Sequence, residues 1–234
     1  MKKMHTVLSM MFCLMTGINS FASALDGAWA AEDGLQKTIL FFKDGYFTSV
    51  SFSSIKFISA VGGTYKIDGN TIDYLKEFDS ADSNEVGKNN QRDFSITGNQ
   101  LSLTANGNAA LYIRIDNGSA PLSGVRKITE REQDGKLVTI HKTGSRKTLK
   151  ILTGSRFQWF AINPETKQFS GTGGGTYTFI NGKYTENIQF FSRDNSRVGA
   201  KLTFDGKLEK NKWHHSGLSS KGDKIYEIWS RINH

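Results

Sequence analysis

Thr38-Ile39-Leu40-Phe41-Phe42-Lys43-Asp44-Gly45-Tyr46-Phe47-Thr48-Ser49-Val50-Ser51-Phe52 is the stretch that decides the architecture. Two runs of β-branched and aromatic residues, 38–42 and 46–52, flank an Asp-Gly dipeptide. Asp or Asn followed by Gly tolerates the positive φ of a type I′ turn, so the stretch reads as a β-hairpin. The same signal recurs at Asp68-Gly69, Asn106-Gly107, Asp134-Gly135, Asn181-Gly182 and Asp205-Gly206. Further strand-like runs lie at Leu149–Leu152, Arg156–Ile162, Tyr177–Ile180, Tyr184–Phe191 and Ile225–Ile232. Helical periodicity is almost absent. The pattern predicts an all-β chain built as an antiparallel meander.

The meander repeats itself. Leu25-Asp26-Gly27-Ala28-Trp29 corresponds to Leu122-Ser123-Gly124-Val125-Arg126, and Lys37-Thr38-Ile39 to Lys147-Thr148-Leu149. Phe47 matches Phe157, and Gly62-Gly63-Thr64-Tyr65 returns as Gly174-Gly175-Thr176-Tyr177. Val86-Gly87 returns as Val198-Gly199, and Tyr112-Ile113-Arg114-Ile115-Asp116 as Trp229-Ser230-Arg231-Ile232-Asn233. Short matches in one order imply two homologous β-domains, 25–117 and 118–234. The two prolines, Pro121 and Pro164, exclude a proline-rich linker between them.

Residues 1–24 of the 234 read as a cleaved signal peptide. Lys2 and Lys3 form a positive start, Val7–Met15 is apolar apart from Ser9, and Ala22-Ser23-Ala24 is a small-x-small cleavage site. The apolar run is about half of what a membrane-spanning helix needs. Cys13 is preceded by Met11-Phe12, not by a lipoprotein signal. The expected location is periplasmic or secreted. Without the leader the chain has no thiol, which excludes disulfides, thiolate metal sites and a cysteine nucleophile.

Charge separates the halves. Residues 25–117 carry 8 Lys+Arg against 12 Asp+Glu, a net −4, and residues 118–234 carry 20 against 10, a net +10. The halves could dock electrostatically, or the basic one could face an anionic partner. The densest basic stretch runs from Lys142 through Arg146, Lys147 and Lys150 to Arg156. Export argues against nucleic acid, leaving solvated strand faces, anionic glycans or lipid headgroups.

Candidate chemistry concentrates in the second half. With a period of two, Tyr184, Glu186, Ile188 and Phe190 share a face that is apolar except for the carboxylate. Glu186 is there either to meet a polar ligand group or a proton, or as one half of an ion pair with Arg156 or Arg231. In the last strand Glu227, Trp229 and Arg231 share a face, as a barrel latch or a ligand platform with Trp159 and Tyr177 as further aromatic walls. His214 and His215 point to opposite faces of a strand and cannot easily chelate one metal; no metal or other cofactor is expected. The 192–197 loop, with Arg193, Asp194 and Arg197, reads as a locally braced loop or an anion clamp. The glycine-rich 171–175 segment leads into a strand and reads as a bend where backbones approach closely.

Gly27-Ala28-Trp29, opening a β-meander, resembles the Gly-x-Trp signature of lipocalins. That resemblance implies an eight-stranded antiparallel barrel whose Trp plugs one end, with a late arginine, here Arg114, over its ring. The second repeat departs from it, with Arg126 at the Trp position, so its plug must differ. Residues 147–159, 173–177, 184–188 and 226–229 resemble uncharacterised secreted bacterial proteins with lipocalin-like domains, which implies a calycin-like barrel and no reaction.

The expectation is therefore two tandem lipocalin-like barrels. The second binds, without catalysis, a small, partly apolar and possibly anionic molecule through Trp159, Tyr177, Tyr184, Glu186, Trp229 and Arg231. The alternative is an envelope or surface interaction protein whose basic half meets an anionic partner. An enzyme would need Glu186 and a histidine on one common pocket.

Overall fold

The computed structural model describes residues 24–54, 56–219 and 222–232. The expected leader, apart from Ala24, lies outside them. Eight antiparallel strands form a first closed barrel: β1 (Gly27–Asp33), β2 (Gln36–Lys43), β3 (Tyr46–Ser53), β4 (Phe57–Asp68), β5 (Thr71–Asp79), β6 (Asn89–Thr97), β7 (Gln100–Ala105) and β8 (Asn108–Asp116). The second begins with β9 (Gly124–Gln133) and the short β10 (Lys136–Thr139). It continues through β11 (Lys147–Leu152), β12 (Arg156–Asn163), β13 (Gln168–Ile180), β14 (Lys183–Phe191), β15 (Lys201–Glu209), β16 (Lys212–Leu218) and β17 (Lys224–Ile232). One stretch of β9 pairs with both β11 and β17 and closes the eight-stranded ring; its far end forms a hairpin with β10. Closure leaves no open sheet edge in either ring. Among the described residues no helix is long and apolar enough to cross a membrane.

The turn dipeptides explain most of the hairpins. Asp44-Gly45, Asn106-Gly107, Asp134-Gly135 and Asn181-Gly182 all have positive φ at both residues, as a type I′ turn requires. Asp205-Gly206 is an exception and not a turn: it lies inside β15, and the chain reverses at Lys210, with φ 54°. Gly206 is needed for space, since a Cβ there would sit 2.8 Å from the Phe179 ring. In the glycine-rich segment the expected close approach is present: a Cβ on Gly175 would fall 2.0 Å from the Asn187 carbonyl oxygen, at a β-bulge opposite β14.

Strand register aligns the two rings residue by residue. Trp29 pairs with Leu40 in the first ring and Arg126 with Lys150 in the second. Tyr65 pairs with Tyr74, and Tyr177 with Glu186. Leu103 stands between Phe94 and Ala110; His215 stands between Gly206 and Glu227. Leu40, Tyr74, Leu103 and Ala110 are thus the counterparts of Lys150, Glu186, His215 and Glu227.

Three apolar cores hold the chain together. One fills the first barrel around Trp29, Phe42, Phe47 and Leu101, and one the second around Phe157, Tyr184, Trp213 and Trp229. The third lies between the barrels. The outward faces of β2, β3 and β5 (Ile39, Phe41, Tyr46, Val50, Phe78) meet those of β11, β12 and β14 (Leu149, Ile151, Phe160, Phe190). Tyr46 stacks on Phe160 at 5.6 Å between ring centroids, Phe78 on Phe160 at 4.9 Å, and Phe52 lies 5.0 Å from Phe190. At its middle the fully buried Thr48 hydroxyl donates to the Gln158 side-chain oxygen at 2.7 Å, and the Gln158 amide donates to Thr172. Around the rim, acidic residues of the first half meet basic ones of the second: Glu77 with Lys147 at 2.7 Å and Asp44 with Arg231 at 2.9 Å.

Candidate functional site

Alternation along β11 places Leu149 and Ile151 in the interface between barrels and turns Lys150 into the second barrel. Its ammonium lies 2.9 Å from Glu186 Oε1 on β14, and both side chains are almost wholly buried. An isolated charge there would be very costly; the pair neutralises it, and four rings add to that. Phe157, Tyr184, Trp213 and Trp229 place their centroids 5.1–5.4 Å from Lys150 Nζ, within cation–π range. Glu186 is therefore paired, with Lys150 and not with Arg156 or Arg231.

His215, on β16, is 3% exposed. Among the described residues neither of its ring nitrogens has a hydrogen-bond partner, nor do Tyr184 Oη and Trp213 Nε1. Buried polar groups are nearly always bonded, so three such side chains in one barrel core need an explanation. Glu227 Oε2 lies 3.7 Å from His215 Nδ1, beyond hydrogen-bonding reach. Burial pushes the His215 pKa down, so the ring is neutral at pH 7, with one nitrogen a donor and the other an acceptor. Burial also raises the Glu227 pKa, but His215, Arg131 and Lys150 outweigh it and hold the carboxyl below its ordinary value. Glu227 accepts from Trp229 Nε1 at 3.1 Å and from Arg131 at 3.1 Å. Burial drives the Tyr184 hydroxyl well above its usual pKa, with the Glu186 charge adding to it.

These groups border a cavity of about 370 Å³. Lys150, Glu186, His215 and Glu227 supply polar lining; Ile128, Trp159, Ile188, Phe191, Leu202 and Trp229 supply much of the apolar wall; Arg131 and Arg197 are cationic. The Arg131 side chain is 46% exposed, which places it towards solvent. Arg197 is held by Asp194, within the 192–197 loop.

Of the six residues expected from sequence to line a site, Trp159, Glu186 and Trp229 meet on this cavity. Tyr177 and Tyr184 belong to the core and are not among its lining residues. The Tyr177 hydroxyl donates to the Thr153 carbonyl. Arg231 points away, to Asp44 of the first barrel. Sequence reasoning did not place Lys150, His215 or Arg131 there. For Lys150 a signal existed: by the repeat it aligns with Leu40, an apolar position. His214 and His215 do take opposite faces, His214 bonding to the Tyr226 hydroxyl. Among the described residues no group of three or more His, Cys, Asp or Glu is placed to hold a metal ion.

The arrangement presents a neutral imidazole, a compensated ion pair and a second carboxylate to one amphiphilic space. Glu186 and His215 both line it. No protein-family model matches the chain, and no curated protein matches it either.

Proposed function

We propose that the chain is a binding protein whose second barrel holds a small, partly apolar molecule. Its polar end meets Lys150, Glu186 and His215; its apolar body lies against Trp159, Ile188 and Leu202. One observation carries this reading. At the positions of Lys150, Glu186 and His215 the first barrel has Leu40, Tyr74 and Leu103, and it closes into the same ring. The fold does not need charge there. A ligand supplying both donors and acceptors would satisfy the unpartnered imidazole without breaking the ion pair. The expected setting is outside the cytoplasm, periplasmic or secreted, after loss of residues 1–24.

Native mass spectrometry of the protein purified from its own host, followed by denaturing extraction, tests this. A stoichiometric small molecule that is absent from an Ala200→Trp variant, in which the new indole fills the cavity, is the expected result. An empty protein that shows no mass shift with lipids or aromatic acids overturns it.

A second reading rests on His215 and Glu186 facing one space: acid–base chemistry on the bound molecule. Incubating the recovered ligand with fresh protein separates the two readings. Unchanged ligand supports holding, and conversion that is lost in His215→Leu supports catalysis.

A further inference from the structure

The first barrel has a cavity of its own, about 350 Å³, lined on one side by Leu40, Phe42, Phe47 and Leu103. Its polar lining is the inverse of the second barrel's. By strand register, Lys76, Asn90 and Arg92 are the counterparts of Ile188, Leu202 and Phe204. Where the second barrel has polar groups the first is apolar or carries a tyrosine, and where the second is apolar the first has two cations and an amide. No carboxylate lines the space.

Arg92 has the same strand parity as Phe94, which is buried in the barrel core, but Arg92 itself is solvent-exposed where it lines the cavity. Among the described residues its guanidinium makes no ion pair and no hydrogen bond, although the first half of the chain is acidic. Asn90 Nδ2, beside it on the same face, is buried and also lacks a partner. Lys76 is tethered by Glu85 at 3.0 Å and is held at the cavity wall. Arg92 is solvated and Lys76 is paired, so the unmet donor is the buried Asn90 amide; beside two cations and no carboxylate in the lining, it calls for an acceptor-rich, negatively charged group.

We infer that the first barrel is a second, separate binding site, selective for an amphiphilic organic anion whose charged group sits on Arg92 and Asn90 and whose apolar part enters towards Phe42 and Phe47. The protein thus carries two sites of opposite polarity pattern. This inference stands whether or not the second barrel binds anything.

The test uses two fluorescent probes that differ by one charged group: 8-anilinonaphthalene-1-sulfonate and the neutral N-phenyl-1-naphthylamine. Both are titrated into the full chain and into the Ala200→Trp variant, which removes the second cavity from the count. In that background Arg92→Leu is expected to weaken the sulfonate by about tenfold or more, the value of one charge-assisted hydrogen bond. Arg92→Glu is expected to weaken it further, with the neutral probe changed less than about twofold in both. Ala110→Trp, an exposed change at the cavity lining, is expected to weaken both probes. Arg92→Glu binding the sulfonate as the parent does overturns the inference. So does Ala110→Trp leaving the sulfonate unchanged, or equal losses of both probes in Arg92→Leu.

Discussion

In the first barrel Trp29 fills one end, its indole N–H donating to the Leu25 carbonyl at 2.9 Å and Arg114 lying 3.8 Å over its ring. In the second, Arg126 occupies the same register position and donates to the equivalent carbonyl, Leu122, at 3.3 Å. Burial, with Arg231 nearby, lowers its pKa to about 10. The counterpart of Arg114 is then Arg231, which has no tryptophan to cover and reaches across to Asp44 instead. The strand pairing is shared by the two repeats and the filling is not. A β-barrel of this kind is specified by its turns and alternation, and its interior is free to differ.

The comparison can be broken at several points. Trp29→Ala is expected to cost about 3–5 kcal/mol, because it removes the largest side chain of the plug. Arg126→Ala in the second barrel is expected to cost no more than about 2 kcal/mol, since its hydrogen bonds are long. Urea unfolding of both variants gives the ratio. Equal losses would mean that the two ends are closed in the same way.

Lys150→Leu places the first barrel's residue in the second and leaves Glu186 buried without its partner, at a cost of about 3–5 kcal/mol. Adding Glu186→Tyr completes the transplant of Leu40 and Tyr74, and is expected to restore stability to within about 1.5 kcal/mol of the parent. If the double variant is no better than the single, the interiors are not interchangeable.

His215→Leu, which copies Leu103 of the first barrel, sharpens the comparison through pH. His215 is held below the ordinary value of 6.5, so below that pH the unfolded chain takes up a proton that the folded ring refuses. Stability therefore falls as pH drops from about 6.5 towards the folded value, by at most about 1.4 kcal/mol per pH unit. Glu227, lowered from 4.5, contributes stability that is lost only below that value, in a separate window. His215→Leu is expected to remove its share of the upper slope, leaving that of His141, whose ring is also held down by burial and Arg146. Unfolding midpoints measured from pH 7.5 to pH 5 read the difference.

The smallest effect belongs to the rim. Arg231→Ala, which breaks a partly exposed pair with Asp44, is expected to cost about 1 kcal/mol or less, and less again in high salt. A larger loss would mean that the barrels are joined by charge more than by their shared core.

Turn dipeptides and the internal repeat made the barrels legible in the sequence, because each I′ turn fixes the hairpin register around it. Asp205-Gly206 misled because glycine there answers a packing demand from Phe179, which no local pattern announces. Glu186 stood out as a lone carboxylate on an apolar face. Lys150 did not, because it sits in a basic run whose neighbours are on other faces. The contact between barrels was visible only as opposite net charges. Its apolar part comes from residues such as Ile39, Phe41, Leu149 and Ile151, which as sequence are ordinary strand formers.

That apolar contact bears on how the chain can be divided. Severed between Asp116 and Gly124, each piece would keep a closed ring but present a stripe of Phe, Ile and Tyr to water. Neither half is a self-sufficient module. Co-expressed, the fragments should seek each other, drawn by opposite net charge and matched by the buried Thr48–Gln158 bond. Reassembly would cover both apolar stripes at once, while each cavity stays within its own ring.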